Sequence, residues 1–330
     1  MAKYRTLITG GAGFIGSHLV DALLARGERV TVVDDLSTGR RENLHGHGDQ
    51  ADLSLIEGSV CDRQLVDSLV DDCDRVFHLA AGVGVRKLAE GPARLLEENA
   101  LGTAVLLGSC VRHRRPVLIA SSSEVYGKSC ELPQREGGDI RLGPPHETRW
   151  SYACSKAVGE YLALAHHRSD GLPVVVARLF NTVGPRQRGR YGMVIPRFIQ
   201  QAEAGAPITV YGDGRQTRCF CHVRDTVAAL IALLDTPAAA GQIVNVGSAE
   251  RVTIEALAAR IRDMTGSASD ITTQPFESAY GADMEDMRDR EPDLTRLLEL
   301  TGCRPATTLD EILQDSIAHF RRFGDPDAVG

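Results

Sequence analysis

The chain has 330 residues, 43% of them apolar and 25% charged, with a net charge of −7. This balance supports one large domain, or a core domain with a smaller one appended, and the lack of a basic excess argues against nucleic acid or an anionic membrane as partner. No apolar stretch reaches the ~18 residues of a membrane span and no charged-then-apolar leader opens the sequence, so a cytoplasmic location is the default expectation.

Short apolar runs alternate with helical spacing through the first half. Arg5–Thr9 reads as a buried strand, and the apolar spacing of Phe14–Arg26 reads as a helix stopped at Gly27. Strands follow at Arg29–Val33, Ser54–Glu57, Arg75–Ala80, Val117–Ser121 and Pro173–Leu179. Helical patterns lie between them at Arg63–Val70, Leu95–His113 and Ser151–His167. This alternation predicts an α/β fold, a doubly wound parallel sheet covered on both faces.

Beyond residue 180 the texture changes. Residues 184–192 are rich in Gly, Pro and Arg and read as a loop. Short helices are expected at Pro196–Ala204, Ile254–Thr265 and Asp310–Phe323, and strands at Ile208–Tyr211 and Ile243–Val246. We expect residues 1–180 as one domain and 181–330 as a smaller mixed α/β domain. A segment around 220–250 is expected to return to the core. The eight cysteines (61, 73, 110, 130, 154, 219, 221 and 303) show neither a disulfide framework nor zinc spacing and are expected reduced and mostly buried, with no metal site.

The strongest motif is Gly10-Gly11-Ala12-Gly13-Phe14-Ile15-Gly16. It follows a strand and opens a helix, the context that turns a glycine pattern into a dinucleotide fingerprint of the Rossmann type. The glycines permit a tight turn and close approach to a pyrophosphate, whose charge suits the free N–H groups at a helix start. Asp34, 18 residues after Gly16, is placed to accept hydrogen bonds from a ribose diol and to repel a 2′-phosphate. NAD is therefore favoured over NADP, although Arg40 and Arg41 lie close in sequence. Asp62 is a candidate for the adenine amino group or a simple loop cap.

Tyr152-Ala-Cys-Ser-Lys156 puts a phenol and an ammonium on one helical face, where the ammonium stabilises phenolate and makes a general base of the tyrosine. Ser121-Ser122-Ser123-Glu124-Val125-Tyr126-Gly127 follows a strand, where a partner hydroxyl is needed.

GGAGFIG, HLAA (His78-Leu79-Ala80-Ala81), SSSEVYG and YACSK, in this order, resemble the extended short-chain dehydrogenase/reductase family of nucleotide-sugar epimerases, 4,6-dehydratases and decarboxylases, over essentially the whole chain. The resemblance implies tightly bound NAD, oxidation of the sugar at C4 and chemistry on the resulting ketone. It implies Ser122 as catalytic hydroxyl, Tyr152 as base and Lys156 as its partner. Leu79, Ala80, Ala81 and Asn99 are implied beside the cofactor. A homodimer through the Leu95–His113 and Ser151–His167 helices is implied as well.

Ser123-Glu124, Arg149 three residues before the tyrosine, and Arg290 in Arg-Glu-Pro resemble UDP-glucuronate decarboxylases, as does the segment Ser278–Gly281. In those enzymes C4 oxidation yields a β-keto acid, which loses carbon dioxide readily. Ser123, Glu124 and Arg290 are then candidates to position the carboxylate and handle the enolate, and Arg149 to bind substrate. Arg290 could instead bind pyrophosphate. Gly82–Lys87 looks more like the loop of UDP-glucuronate 4-epimerases, with Arg86 facing the sugar carboxylate or solvent. Asn181, Tyr211 and Arg218 resemble the family's diphosphate-sugar and base contacts. Arg186, Arg188 and Arg190 read as a solvated loop. The expectation is NAD-dependent decarboxylation of UDP-glucuronate to a UDP-pentose or its 4-keto form. A UDP-sugar 4-epimerase is the alternative, followed by a 4,6-dehydratase or a non-catalytic NAD-binding protein.

Overall fold

A computed structural model describes residues 4–47, 51–82, 91–189, 193–275 and 287–324. Among the described residues thirteen strands run β1 Arg5–Thr9, β2 Arg29–Asp34, β3 Leu53–Glu57, β4 Arg75–His78, β5 Val117–Ser122, β6 Val174–Leu179, β7 Thr182–Val183, β8 Ile208–Tyr211, β9 Thr217–Cys219, β10 Cys221–His222, β11 Ile243–Val246, β12 Arg251–Thr253 and β13 Ile271–Gln274. The helices are α1 Phe14–Ala25, α2 Arg63–Asp71, α3 Pro92–His113, α4 Arg149–Asp170, α5 Val194–Glu203, α6 Val223–Asp235, α7 Ile254–Thr265, α8 Thr295–Thr301 and α9 Leu309–Phe323.

Seven strands form one parallel sheet in the order β11-β6-β5-β4-β1-β2-β3. Their β-branched apolar runs are buried because helices cover both faces. Leu19, Val20 and Leu23 of α1, Val227 and Leu230 of α6 and Leu297 of α8 pack on one face. Val66 and Val70 of α2, Leu106 and Leu107 of α3 and Ala163 of α4 pack on the other. The fold is thus the Rossmann-type doubly wound sheet that the sequence predicts. The strand order reverses between β1 and β4, the topological switch point where such sheets open a crevice at their carboxyl ends.

A separate cluster gathers Phe198 and Ile199 of α5, Leu257 and Ile261 of α7, and Ile312 and Leu313 of α9. Two-stranded pairs β8–β13 and β9–β12 flank it. β11 pairs with β6 at the sheet's edge, so the chain re-enters the first sheet after contributing to this cluster.

The expected strand Arg75–Ala80 ends at His78 instead. Beyond it Leu79 N donates to Thr9 O (3.0 Å) and Ala80 N to Thr9 Oγ1 (3.2 Å), which turns the chain into the crevice. All eight cysteines are free; four are buried, while Cys130 and Cys154 are exposed.

Candidate active site

A cavity of ≈ 370 Å³ opens at the switch point, lined by the ends of β2, β5 and β6, the turns after β1, β3, β4 and β5, the start of α1, and residues of α3 and α4. One end is built by the glycine turn. Gly10 adopts φ +72° and donates its N–H to Val33 O at 2.9 Å. A Cβ on Gly10 would meet Ala80 N at 2.7 Å, and one on Gly16 would meet Gly10 O at 2.2 Å. Only glycine fits either place. Gly13 caps α1 with no side-chain hydrogen bond, and Gly13, Phe14 and Ile15 line the cavity. Helix N–H groups without a side-chain cap suit a pyrophosphate.

Asp34 ends β2 on the cavity wall, 7% exposed. Its Oδ2 accepts from Ala12 N (3.0 Å) and its Oδ1 from Leu36 N (2.9 Å), which fixes the carboxylate at the cavity's edge. Arg40 pairs with Glu42 and Arg41 with Glu57, and neither lines the cavity. The wall at Asp34 therefore suits a ribose diol and disfavours a 2′-phosphate. Leu79, Ala80, Ala81 and Asn99 also line the cavity. Asn99 is held by Gly82, whose N–H donates to Oδ1 at 2.7 Å, and by Ser155 Oγ, which accepts from Nδ2 at 3.2 Å. The residues present thus fit NAD.

Asp62 does not join this wall. It is exposed and caps α2, its Oδ1 accepting from Gln64 N (3.0 Å) and Leu65 N (3.1 Å). Unfilled N–H groups at the start of a helix claim a nearby aspartate.

The other end of the cavity carries Ser122, Ser123, Glu124, Tyr152, Lys156 and Arg290. Ser122 and Ser123 come from the end of β5 and the turn after it, and Tyr152 and Lys156 from α4. Ser122 and Tyr152 both line this end, and Ser122 Oγ accepts from Glu124 N at 3.2 Å. Lys156 Nζ donates to Ala120 O at 2.9 Å.

The acid–base balance differs from the sequence expectation. Burial, and then the Glu124 charge, push the Tyr152 phenol well above its ordinary value, while Ser122, Arg149 and Arg290 pull it down. The net direction is upward, not the expected lowering, and burial lowers Lys156 itself to about 8.

Glu124 sits among guanidiniums. Arg149 Nη1 lies 2.8 Å from its Oε2 and Nη2 2.9 Å from its Oε1, a bidentate fork. Arg290 Nη1 reaches Oε1 at 3.5 Å. Burial disfavours the carboxylate, but Arg149 and then Arg290 outweigh it and hold Glu124 below its ordinary value. Arg149, expected to bind substrate, does not line the cavity; its guanidinium lies on Glu124.

Of the residues expected at the nucleotide end, Asn181 lines the cavity, with Nδ2 donating to Cys219 O at 3.2 Å. Tyr211 and Arg218 do not. Tyr211 stacks under Arg197, 4.2 Å from the guanidinium to the ring centre, and Arg218 Nη1 donates to Thr217 O and Arg288 O. Arg186 and Arg188 were expected in solvent, yet both line the cavity, Arg186 braced on Asp21 at 2.8 Å. Arg86, Arg190 and Ser278–Gly281 lie outside the described residues.

A buried layer beneath the site escaped the sequence reading. Ser121 Oγ donates to Glu160 Oε1 at 2.5 Å, and Arg178 grips both oxygens of Glu160 at 2.9 and 2.7 Å. Glu160 follows Lys156 by four residues, an acid on the buried face of a helix, and that placement was the available signal. Tyr126 OH donates to Asn245 Oδ1 at 2.7 Å and so ties the serine turn to β11.

Residues 6–247 match the model of the NAD-dependent epimerase/dehydratase family. The chain belongs to that family. NAD is its cofactor. Over 325 residues it is 42% identical to a UDP-N-acetyl-alpha-D-glucosaminuronate decarboxylase of Bacillus cytotoxicus, covering 97% of this chain and 99% of the relative. It is 37% identical to UDP-glucuronic acid decarboxylase 1 of Xenopus tropicalis over 97% of this chain and 73% of that one. Among solved structures, the UDP-glucuronic acid 4-epimerase from Bacillus cereus, in complex with UDP-glucuronic acid and NAD, superposes with a TM-score of 0.87 at 25% identity. That match covers 96% of this chain and 99% of the other.

Proposed function

We propose that this family member decarboxylates a UDP-hexuronate after oxidising its C4. The observation that carries the reading is the Glu124–Arg149–Arg290 cluster beside Tyr152. Decarboxylases among its relatives support it. The first part of the chain, 1–180, is read as the NAD-binding domain and 181–330 as mainly the nucleotide-sugar domain, with Asn181, Tyr211 and Arg218 toward the nucleotide. The separate apolar cluster of the latter supports this division.

Tyr152, paired with Ser122, takes the proton of the C4 hydroxyl. Bound NAD supplies the hydride acceptor at C4 and, once reduced, the donor for its return. Lys156 and the cofactor's positive charge favour the phenolate that burial opposes. The 4-ketone stands β to the C6 carboxylate, which leaves as carbon dioxide with its bonding electrons kept as an enolate. Arg290, on the cavity wall, faces first the carboxylate and then that negative charge. Ser123 fixes the sugar beside it, and the ionised Glu124 orients Arg290.

The test incubates the protein and NAD with UDP-glucuronate and, separately, with its 2-acetamido counterpart, and weighs the products. Loss of carbon dioxide from either supports the reading and identifies the C2 substituent accepted. An isomer of unchanged mass, with Glu124→Gln fully active, would establish a 4-epimerase instead. The relative solved with UDP-glucuronic acid keeps that second reading open.

A homodimer through α3 and α4 is part of this proposal. Leu101, Val158 and Tyr161 expose 49%, 39% and 67% of their surface on those helices. A cytoplasmic location is likewise part of this proposal. No helix among the described residues is long and apolar enough to cross a membrane.

A further inference from the structure

We propose that Arg149 is a positioning residue that holds Glu124 and balances its charge, leaving Arg290 to exchange Glu124 for the carboxylate of the sugar. The exchange rests on the hexuronate reading; the clamp does not.

The two arginines grip Glu124 unequally. Arg149 makes two bonds, at 2.8 and 2.9 Å, from a side chain buried away from the cavity. Arg290 reaches Glu124 by one long contact, 3.5 Å, from the cavity wall. A fork-on-carboxylate pair is the stronger and the more directional of the two. The weaker bond is therefore the one a ligand can displace. Releasing Arg290 would strand a buried carboxylate if it were the only counter-charge, and stranding a buried charge is costly. Arg149 removes that obstacle.

Among the described residues, Arg218 from β9 and Tyr152 from α4 also act on Glu124. Arg149 opens α4 three residues before Tyr152, and Glu124 follows Ser122 by two. The clamp thus also sets the serine turn against the tyrosine helix.

The experiment uses NAD-bound enzyme. Binding of UDP-glucuronate and of UDP-glucose, which lacks the carboxylate, is measured by calorimetry for wild type, Arg149→Met, Arg149→Lys and Arg149→Met/Glu124→Gln. With Arg149→Met, Glu124 retains Arg290, so UDP-glucuronate should weaken by roughly tenfold or more while UDP-glucose is unchanged. Removing the competing carboxylate in the double variant should restore UDP-glucuronate binding. Arg149→Lys, which keeps the charge, should fall between and covers the case of a Met variant that does not fold. Failure of the double variant to restore binding would mean Arg149 meets the substrate directly and would overturn the proposal. Equal weakening of both ligands would overturn it too.

Titration of the Glu124 carboxyl in isotope-labelled enzyme, assigned with Glu124→Gln, tests the clamp without any substrate. Its midpoint should rise by about one pH unit or more in Arg149→Met; an unmoved midpoint sinks the clamp. If wild type binds UDP-glucuronate no better than UDP-glucose, the hexuronate reading and the exchange fail, and the titration still decides the clamp.

Discussion

Tyr152 works against its surroundings. Burial and Glu124 both oppose its ionisation, while Arg149 and Arg290 favour it; on the proposed reading Lys156 and the bound cofactor add to that. Replacing Tyr152 with Phe should lower C4 oxidation by about 10²–10⁴-fold, the span of general acid–base contributions, while NAD stays bound. Absorbance of reduced cofactor on adding substrate measures the first, and cofactor released on denaturation the second. The Lys156 ammonium is weakened by burial to about 8. A lysine with a depressed value loses its charge as pH rises through that value. Oxidation should therefore decline above about pH 8, and Lys156→Met should be slow at every pH, without that limb. At this scale the sequence showed the glycines, Asp34, Ser122, Tyr152 and Lys156, because each belongs to a local pattern with its own geometry. It did not show where Arg149 and Arg186 lie. Those placements depend on partners tens of residues away: Glu124 for Arg149, Asp21 for Arg186.

Helix α4 is pinned to the sheet by the Glu160–Arg178 pair, with side chains only 3% and 2% exposed. Removing one partner of such a pair strands the other charge. Glu160→Ala should cost about 3–5 kcal/mol in urea unfolding. The double change Glu160→Met/Arg178→Met should recover much of that loss, since apolar packing replaces both charges. At the opposite end of the cavity, Gly16→Ala should abolish NAD retention, because the added methyl meets Gly10 O at 2.2 Å. Most elements were readable from period alone, and Ile254–Thr265, Ile208–Tyr211 and Ile243–Val246 match residue for residue. Helix α6 was not read. Its run Val227–Leu234 is continuously apolar, and a buried helix of that kind has no period to distinguish it from a buried strand. Helix α8, seven residues long, spans about two turns and leaves too little pattern to detect.

The whole molecule places its chemistry by topology. Strand order reverses between β1 and β4, and both halves of the cavity hang from the carboxyl ends on either side of that reversal. The alternation of strands and helices made this much legible, whereas the way β11 returns to the sheet's edge depends on pairing across more than 60 residues. The apolar face of α3 and α4 gives a prediction at this scale. Tyr161→Glu with Leu101→Glu should convert a dimer to a monomer in analytical ultracentrifugation, with the circular dichroism spectrum preserved. A wild type that sediments as a monomer would remove the dimer from the proposal.

Arg149, Tyr152, Lys156 and Glu160 form one row down α4, each a turn from the next: on the proposed reading clamp, base and cation, and then the anchor to the sheet. The row makes the enzyme intolerant of a change in chain length at this one place. A single residue inserted between Tyr152 and Lys156 would rotate everything beyond it by about 100°. Glu160 would then leave Arg178 and Lys156 would leave the cavity together, so no graded loss of function lies along that route. Lineages descended from this fold are free to lengthen the loops that meet the sugar, and their divergence should collect there, while the spacing along this helix stays fixed.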